Sequence, residues 1–291
     1  MLKILRSLFL FINVIVILAL LTIHFIIRDN GFYEPLLFYI FPLPIIIGII
    51  LFFSLFIGKK RRKYNLILAG ILLFIWLGRS FKINFSDDIS EADLEVVFWN
   101  ASRDNNFKEA FFENKGIPDI LVLVEPKITD INSIKQRFSN HYIYDMKGDI
   151  YLFSKTPVII EKEVTSKRNS TVVNFKSRDI DFYAVDAQGS PDLPRRGEMQ
   201  FIDSHIDKTN NTVILGDFNL PYESGLFKNI KKNFNQAFNE KGNGFRETWF
   251  WNIPLLSIDH IWVSKDLKVL KTEKIGTFKS DHSMLKTYIK R

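Results

Sequence analysis

The stretch VILGDFNLPYES, Val213–Ser224, decides how the chain is read. Val213, Ile214 and Leu215 make a short apolar run of the kind that fills a buried strand, and Gly216 ends the side-chain bulk. Asp217 and Asn219 follow two residues apart, so on an extended backbone they point to the same side. Two readings stay open for that pair. Asp and Asn build turns by bonding their own backbone. Strand ends are also where loops carry function, so a carboxylate and an amide there can be two arms of a metal and phosphate site.

Working outward from this strand, residues 95–291 read as an α/β domain. LEVVFWNAS, PDILVLVEPK, HYIYDM, DIYLFSK, VVNFKS, DFYAVDAQ, SIDHIWVSKDL, LKTEKIG and SMLKTYIK have the apolar runs of strands. FKEAFFENKG, ITDINSIKQRFS with a cap at Asp130 or Asn132, RGEMQFIDSHID and SGLFKNIKKNFNQAF read as helices. Residues 83–94 are polar and acidic and read as a linker.

Residues 1–82 have a different character. Leu8 to Ile27 is about the 20 residues a bilayer span needs, and Phe32 to Ile57 is a second apolar run interrupted by Pro42 and Pro44. Leu66 to Leu77 is a shorter third run, with Arg79 placed to snorkel. The first run exceeds the apolar core of a signal peptide and lacks an A-x-A-like cleavage site, so it reads as an uncleaved anchor. Lys3, Arg6 and the KKRRK run, Lys59–Lys63, place the N-terminus and that loop in the cytoplasm by the positive-inside rule. Three spans would carry residue 83 onward to the outer side, and two would leave it inside. The expectation is a multi-pass membrane protein whose α/β domain is extracytoplasmic, with the lipid bilayer as its partner.

Charge and composition exclude other classes. The net charge is +7, but residues 1–82 hold ten Lys/Arg against two Asp/Glu, which leaves −1 for residues 83–291. The basicity therefore marks the apolar third and does not signal a DNA-binding domain. There is no cysteine, so disulfides, thiolate zinc sites and cysteine nucleophiles are absent.

Polar residues gather where apolar strands end. Asn100 ends VVFWN, Glu125 ends ILVLVE, Asp259 and His260 lie in SIDHIWVS, and Asp281 and His282 in KSDHSML. Singly, each is an ordinary turn or strand exit. Together they supply carboxylates, amides and imidazoles, a set suited to a hard divalent cation with proton transfer beside it.

The succession FWN, LVE, GDFN, IDHI and SDH resembles the endonuclease/exonuclease/phosphatase superfamily over roughly residues 95–291. YLFSKTPV and FRETWFW also fall where that family places a sheet strand and a substrate-side loop. The resemblance implies a four-layer α/β sandwich of the DNase I type, here preceded by a transmembrane helical segment, and phosphoester hydrolysis with Mg²⁺ or Mn²⁺. Nucleic acid, a small phosphodiester and a lipid headgroup are all substrates it allows. It implies Glu125 as metal ligand with Asn100 beside it, and Asp281 as a further ligand or a partner behind one. Asp217 would position or deprotonate the attacking water, Asn219 would hold a phosphate oxygen, and His282 would contact the phosphoryl group, oriented by Asp259. His260 matches a frequent family residue of less defined role. The family usually carries a histidine after the strand DFYAV, where this chain has Asp186. Asp186 would then bind metal, or Arg195 or Arg196 would supply the positive charge unless they are a solvated helix start. The same substitution is what a catalytically impaired phosphate-binding module would show.

Overall fold

The computed structural model describes residues 2–29, 31, 34–190 and 195–290, which form two compact units, Met1–Phe81 and Lys82–Arg291. Phe32 and Tyr33, where the second apolar run begins, lie outside the described residues.

In the first unit, the helix Leu2–Thr22 runs into a wider turn, Ile23–Ile27. Among the described residues only Ser7–Ile27 is by itself long and apolar enough to cross a membrane. The second run is not the single kinked helix expected. Pro42 has no N–H to donate and ends one helix, Glu34–Ile40, before the next, Leu43–Ser54, and the two are bent by 69°. They make at most one further crossing. Lys59–Ser80 is 22 residues long but opens on five cations. Its expected span, Leu66 to Leu77, reaches only about 18 Å at 1.5 Å per residue, against a hydrocarbon core of about 30 Å. The expected third crossing is thus not supported. Ile17, Leu20, Leu43, Ile46, Ile50, Ala69 and Leu72 pack inside this unit, and Asn65 Nδ2 donates to Asn13 Oδ1 at 2.9 Å among them. Phe11, Leu18, Phe52 and Phe74 face outward.

The second unit holds two six-stranded sheets. One contains β1 (Leu94–Asn100), β2 (Ile120–Val124), β3 (Tyr142–Met146), β4 (Ile150–Ser154), β11 (Val269–Ile275) and β12 (Met284–Ile289), in the order β11-β12-β1-β2-β4-β3. The other contains β5 (Ile159–Thr165), β6 (Thr171–Ser177), β7 (Ile180–Asp186), β8 (Thr212–Asp217), β9 (Phe234–Gln236) and β10 (Asp259–Ser264), in the order β9-β10-β8-β7-β6-β5. Val96, Phe98, Val122 and Val124 of the first sheet meet Phe182, Ala184, Val213, Leu215, Ile261 and Val263 of the second in one core. The intervening residues Val97, Trp99, Leu121 and Leu123 face outward onto Phe107 and Ala110 of a helix, Phe107–Asn114. The alternation is the two-residue period of a strand buried on both faces.

Two elements differ from the expected pattern. SGLFKNIKKNFNQAF is a short helix, Lys228–Asn233, then β9, then a second helix, Ala237–Lys241. Phe234–Gln236 extends because it pairs with Trp262–Ser264 of β10, a sheet contact that helical spacing does not show. β5 carries no apolar alternation because it is the exposed edge strand, paired only with β6. The cap expected at Asp130 or Asn132 is Asp130, whose carboxylate accepts the N–H groups of Asn132 and Ser133. The 83–94 segment has little regular structure, yet it is held. Asn84 and Asn243 exchange two hydrogen bonds of 2.8 Å, and Asp87 pairs with Lys241 and Lys268.

Candidate active site

The site continues the core. Asp217 follows Val213 and Leu215 at the two-residue spacing, so its carboxylate comes to the face between the sheets. Asp186 follows Phe182 and Ala184, Asp259 precedes Ile261 and Val263, and Asn100 follows Val96 and Phe98 in the same way. Strand register then aligns them. Asp186 is paired with Asp217 across the parallel β7–β8 ladder, and Asp217 with Asp259 across the antiparallel β8–β10 ladder. Three carboxylates stand in one row at the end of the sandwich, and Asn100 reaches them from the other sheet. Its Nδ2 donates to Asp217 Oδ2 at 3.0 Å.

His282 completes the cluster from the segment before β12. Its Nδ1 lies 2.9 Å from Asp259 Oδ2, and one ligand atom from each of Asp217, Asp259 and His282 falls within 4.8 Å of the others. All three residues are buried. Burial alone would lower the His282 pKa, but Asp259, with Asp217 and Asp281, outweighs it and raises the imidazole to about 10. His282 is therefore an imidazolium at neutral pH. Its Nδ1–H donates to Asp259, which leaves Nε2–H as a second donor. Asp217 moves the other way from a strong carboxylate, raised to about 7 by burial and the neighbouring Asp259. That range suits a group that takes up and gives back a proton near neutrality.

Asn219 shows the turn reading of the opening motif directly. Its backbone N–H donates to Asp217 Oδ1 at 2.8 Å, which is a turn device, and the same bond fixes the carboxylate. Its Nδ2 donates to the Ala187 carbonyl at 2.7 Å, leaving one amide N–H uncommitted there.

Glu125 follows β2 and has its side chain against Arg103, with Nη2 to Oε1 at 3.0 Å. Asp186 is pushed well above the usual carboxylate range by burial and by Asp217, Glu125 and Asp149. Asp186 and Asp217 are neighbours across the β7–β8 ladder, and the charge of Glu125 adds to the rise of Asp186. Asp281 accepts from Trp249 Nε1 at 2.9 Å and from the Ser102 hydroxyl. Ser280 donates to the Asn100 carbonyl at 2.8 Å and accepts from the His282 N–H at 3.0 Å.

Three expected site residues stand elsewhere. His260 is next to Asp259 on β10, so it points to the opposite face. There it packs against Phe227 and Trp262 and bonds the Leu220 carbonyl at 3.0 Å. Arg195 turns its guanidinium onto the carbonyls of Gln188 and Gly189, so it closes a loop and does not project a free charge into the cluster. Arg196 is exposed on the helix Arg195–Ser204. Conversely, Ser102, Arg103, Asp149, Trp249 and Ser280 were not singled out from sequence. Trp249, within FRETWFW, and Ser280, within SDH, lay in segments with functional signal.

A two-sheet α/β sandwich with a carboxylate–imidazole–amide cluster at the strand ends defines the class. Residues 97–282, more than half of the chain, match the Endonuclease/Exonuclease/phosphatase family, and the chain belongs to it. Among solved structures it is similar to an endonuclease/exonuclease/phosphatase from Bacteroides vulgatus. The TM-score is 0.52 and the identity 18%, over 69% of this chain and 99% of that one. It is also similar to the mannosyl-6-phosphatase of Bacteroides thetaiotaomicron, with TM-score 0.52 and 15% identity, over 67% and 99%. A third likeness is to D. rerio TDP2 complexed with single strand DNA product, with TM-score 0.51 and 13% identity, over 69% and 100%. Comparison with the curated proteins finds no significant match.

Proposed function

We propose that the chain is a divalent-metal-dependent phosphoesterase, hydrolysing phosphodiester or phosphomonoester bonds, tethered to a membrane by its N-terminal unit. The observation that carries the reading is the buried Asp259–His282 pair set 4.8 Å or less from Asp217. It supplies a base and an acid side by side. Asp217, held by Asn100 and the Asn219 N–H, takes the proton of the attacking water. His282, held by Asp259, donates from Nε2 to the phosphoryl oxygens, where negative charge develops. Asn219 adds its remaining amide N–H to a phosphate oxygen.

The residues also fit a hard cation. Asp186, Glu125 and Asp217 repel one another strongly enough to raise Asp186, and their oxygens are the donors that Mg²⁺ or Mn²⁺ takes. Glu125 and Asp186 with Asn100 would hold it, and Asp281 would stand behind them. An ion held there would neutralise charge on the phosphoryl oxygens. Asp186 thus fits a cation more directly than it fits a dead site, although a phosphate-binding module without turnover is the reading to beat.

Membrane tethering is supported by an inverted surface. In the first unit the large apolar side chains Phe11, Leu18, Phe52 and Phe74 face outward while an Asn–Asn hydrogen bond is buried. That is the arrangement of helices in lipid rather than water. Ser7–Ile27 is the anchor, and a fusion reporter at residue 85 reads which side the catalytic unit occupies.

The test of the activity is hydrolysis of bis(p-nitrophenyl) phosphate and p-nitrophenyl phosphate by the full chain with Mg²⁺. Turnover that stops with chelator and with Asp217→Asn is expected. Phosphate binding without turnover under all metals would favour the binding module. Phosphatidylinositol phosphate vesicles in the same assay test the lipid-headgroup substrate.

A further inference from the structure

Asp259 lies on β10 of one sheet, and His282 leads into β12 of the other, yet their side chains meet at 2.9 Å. Apolar packing between two sheets is non-directional and does not by itself set a hydrogen bond to that precision. The backbone beside the pair is held by directed bonds. The peptide that leads into Asp259 is gripped at both ends. The Ile258 carbonyl accepts the Phe218 N–H at 3.0 Å, and the Asp259 N–H donates to Thr248 Oγ1 at 3.2 Å. The peptide that leaves His282 is gripped in the same way. The His282 carbonyl accepts from Trp99 Nε1 at 3.1 Å, and the Ser283 N–H donates to the Thr248 carbonyl at 2.8 Å.

Thr248 is the partner common to both peptides. It is buried, and its own N–H donates to the Leu256 carbonyl at 3.0 Å. Its hydroxyl oxygen accepts a second N–H, that of Ile258, at 3.3 Å. Trp249, next in the chain, bridges to His282 and to Leu256. A planar peptide fixed at both its oxygen and its nitrogen has little freedom to rotate, so the side chain beside it keeps its direction. Phe218 follows Asp217 directly, so the same bonds also register Asp259 against the base.

We propose that Thr248 is a positioning residue for the hydrolysis: its hydroxyl holds Asp259, and its carbonyl holds His282, at the separation their hydrogen bond needs. It acts through the pair and not on the phosphate. The proposal rests on the phosphoesterase reading above.

The test is steady-state hydrolysis of bis(p-nitrophenyl) phosphate by the full chain with Mg²⁺, at a temperature where circular dichroism shows each variant folded. Thr248→Val keeps the side-chain shape and removes the acceptor. It is expected to lower kcat on the order of 10–100-fold, the scale of a misplacement of about 1 Å or less, with KM little changed. Thr248→Ser restores kcat to within a few-fold. Thr272→Val is the structural control, since Thr272 is also buried and its hydroxyl donates to the Ala237 carbonyl. It leaves kcat unchanged. If Thr248→Val does not fold, Thr248→Cys, a weaker acceptor, takes its place with a smaller loss of kcat. A kcat kept without the hydroxyl, or lost equally in Thr248→Ser or Thr272→Val, overturns the proposal. If the unaltered chain has no turnover, the phosphoesterase reading fails and the pair is read by proton NMR in EDTA. The His282 Nδ1–H, identified by its absence in His282→Gln, then resonates downfield of the amides. Thr248→Val moves it upfield or removes it, and Thr248→Ser keeps it. No such resonance in the unaltered chain, or one unmoved in Thr248→Val, overturns the positioning role.

Discussion

Two buried histidines stand on either side of Asp259, and they have opposite chemistry. His282 faces the carboxylate row and is raised to about 10 by Asp259 and its neighbours against the effect of burial. His260 follows Asp259 directly in the chain, faces Phe227 and Trp262, and is lowered to about 3 by burial, with Arg246 and Lys231 adding to the effect. One is a charged donor and the other a neutral ring. The difference teaches that the strand's two-residue period, and not proximity in sequence, decides which side of the sheet a motif residue serves.

The largest effect expected from that comparison is on turnover. His282→Gln or Asp259→Asn lowers kcat by about 10²–10⁴, the usual contribution of a positioned acid or base. His260→Gln changes it only a few-fold. Steady-state hydrolysis of bis(p-nitrophenyl) phosphate by the three variants reads this directly. Comparable losses in all three would erase the distinction between the faces.

Stability against pH separates the same pair. His260 has a folded pKa below its ordinary value of 6.5, so the neutral ring stabilises the fold fully above that pH. This contribution is lost as pH falls from 6.5 toward about 3, by about 1.4 kcal/mol per pH unit. His282 has a folded pKa above its ordinary value, so its contribution is complete below 6.5 and is lost as pH rises toward about 10. Urea unfolding of the full chain between pH 5 and 9, with His260→Phe and His282→Gln, measures both. His260→Phe flattens the acid side, and His282→Gln flattens the alkaline side.

A smaller effect follows at Asp186. Replacing it with Asn removes a carboxyl group whose ionisation burial and the neighbouring acids oppose, so the Tm of the metal-free protein is expected to rise. The same change diminishes the rise in Tm on adding Mg²⁺. A Tm in EDTA that falls, or an undiminished Mg²⁺ response, would show that Asp186 is not part of a cation site.

The sequence made some of this arrangement legible and hid the rest for identifiable reasons. The apolar runs ending at Asn100, Glu125 and Asp217 announced buried strands with polar ends, and the structure has them. Asp259 and His282 were legible as a pair only through family resemblance, since 22 residues separate them in the chain. The side of the strand taken by His260 follows from core residues Ile261 and Val263, which alternate with it, but a motif read as a unit conceals that. Arg195 looked available because its acceptors are backbone carbonyls of Gln188 and Gly189, which carry no side-chain signal. The extended Phe234–Gln236 and the edge strand Ile159–Thr165 are set by sheet pairing, which overrides local periodicity. In the first unit, apolar length alone suggested three crossings, whereas the backbone break at Pro42 and the cationic start of Lys59–Ser80 reduce what length can support.

The most direct measurement is the pH dependence of kcat/KM for bis(p-nitrophenyl) phosphate with Mg²⁺, in the unaltered chain, His282→Gln and His260→Gln. The expected profile rises through about 7 as Asp217 loses its proton and falls near 10 as His282 loses its own. His260→Gln keeps that bell, and His282→Gln lowers the rate throughout and loses the alkaline limb. A bell that survives in His282→Gln and collapses in His260→Gln would contradict the account.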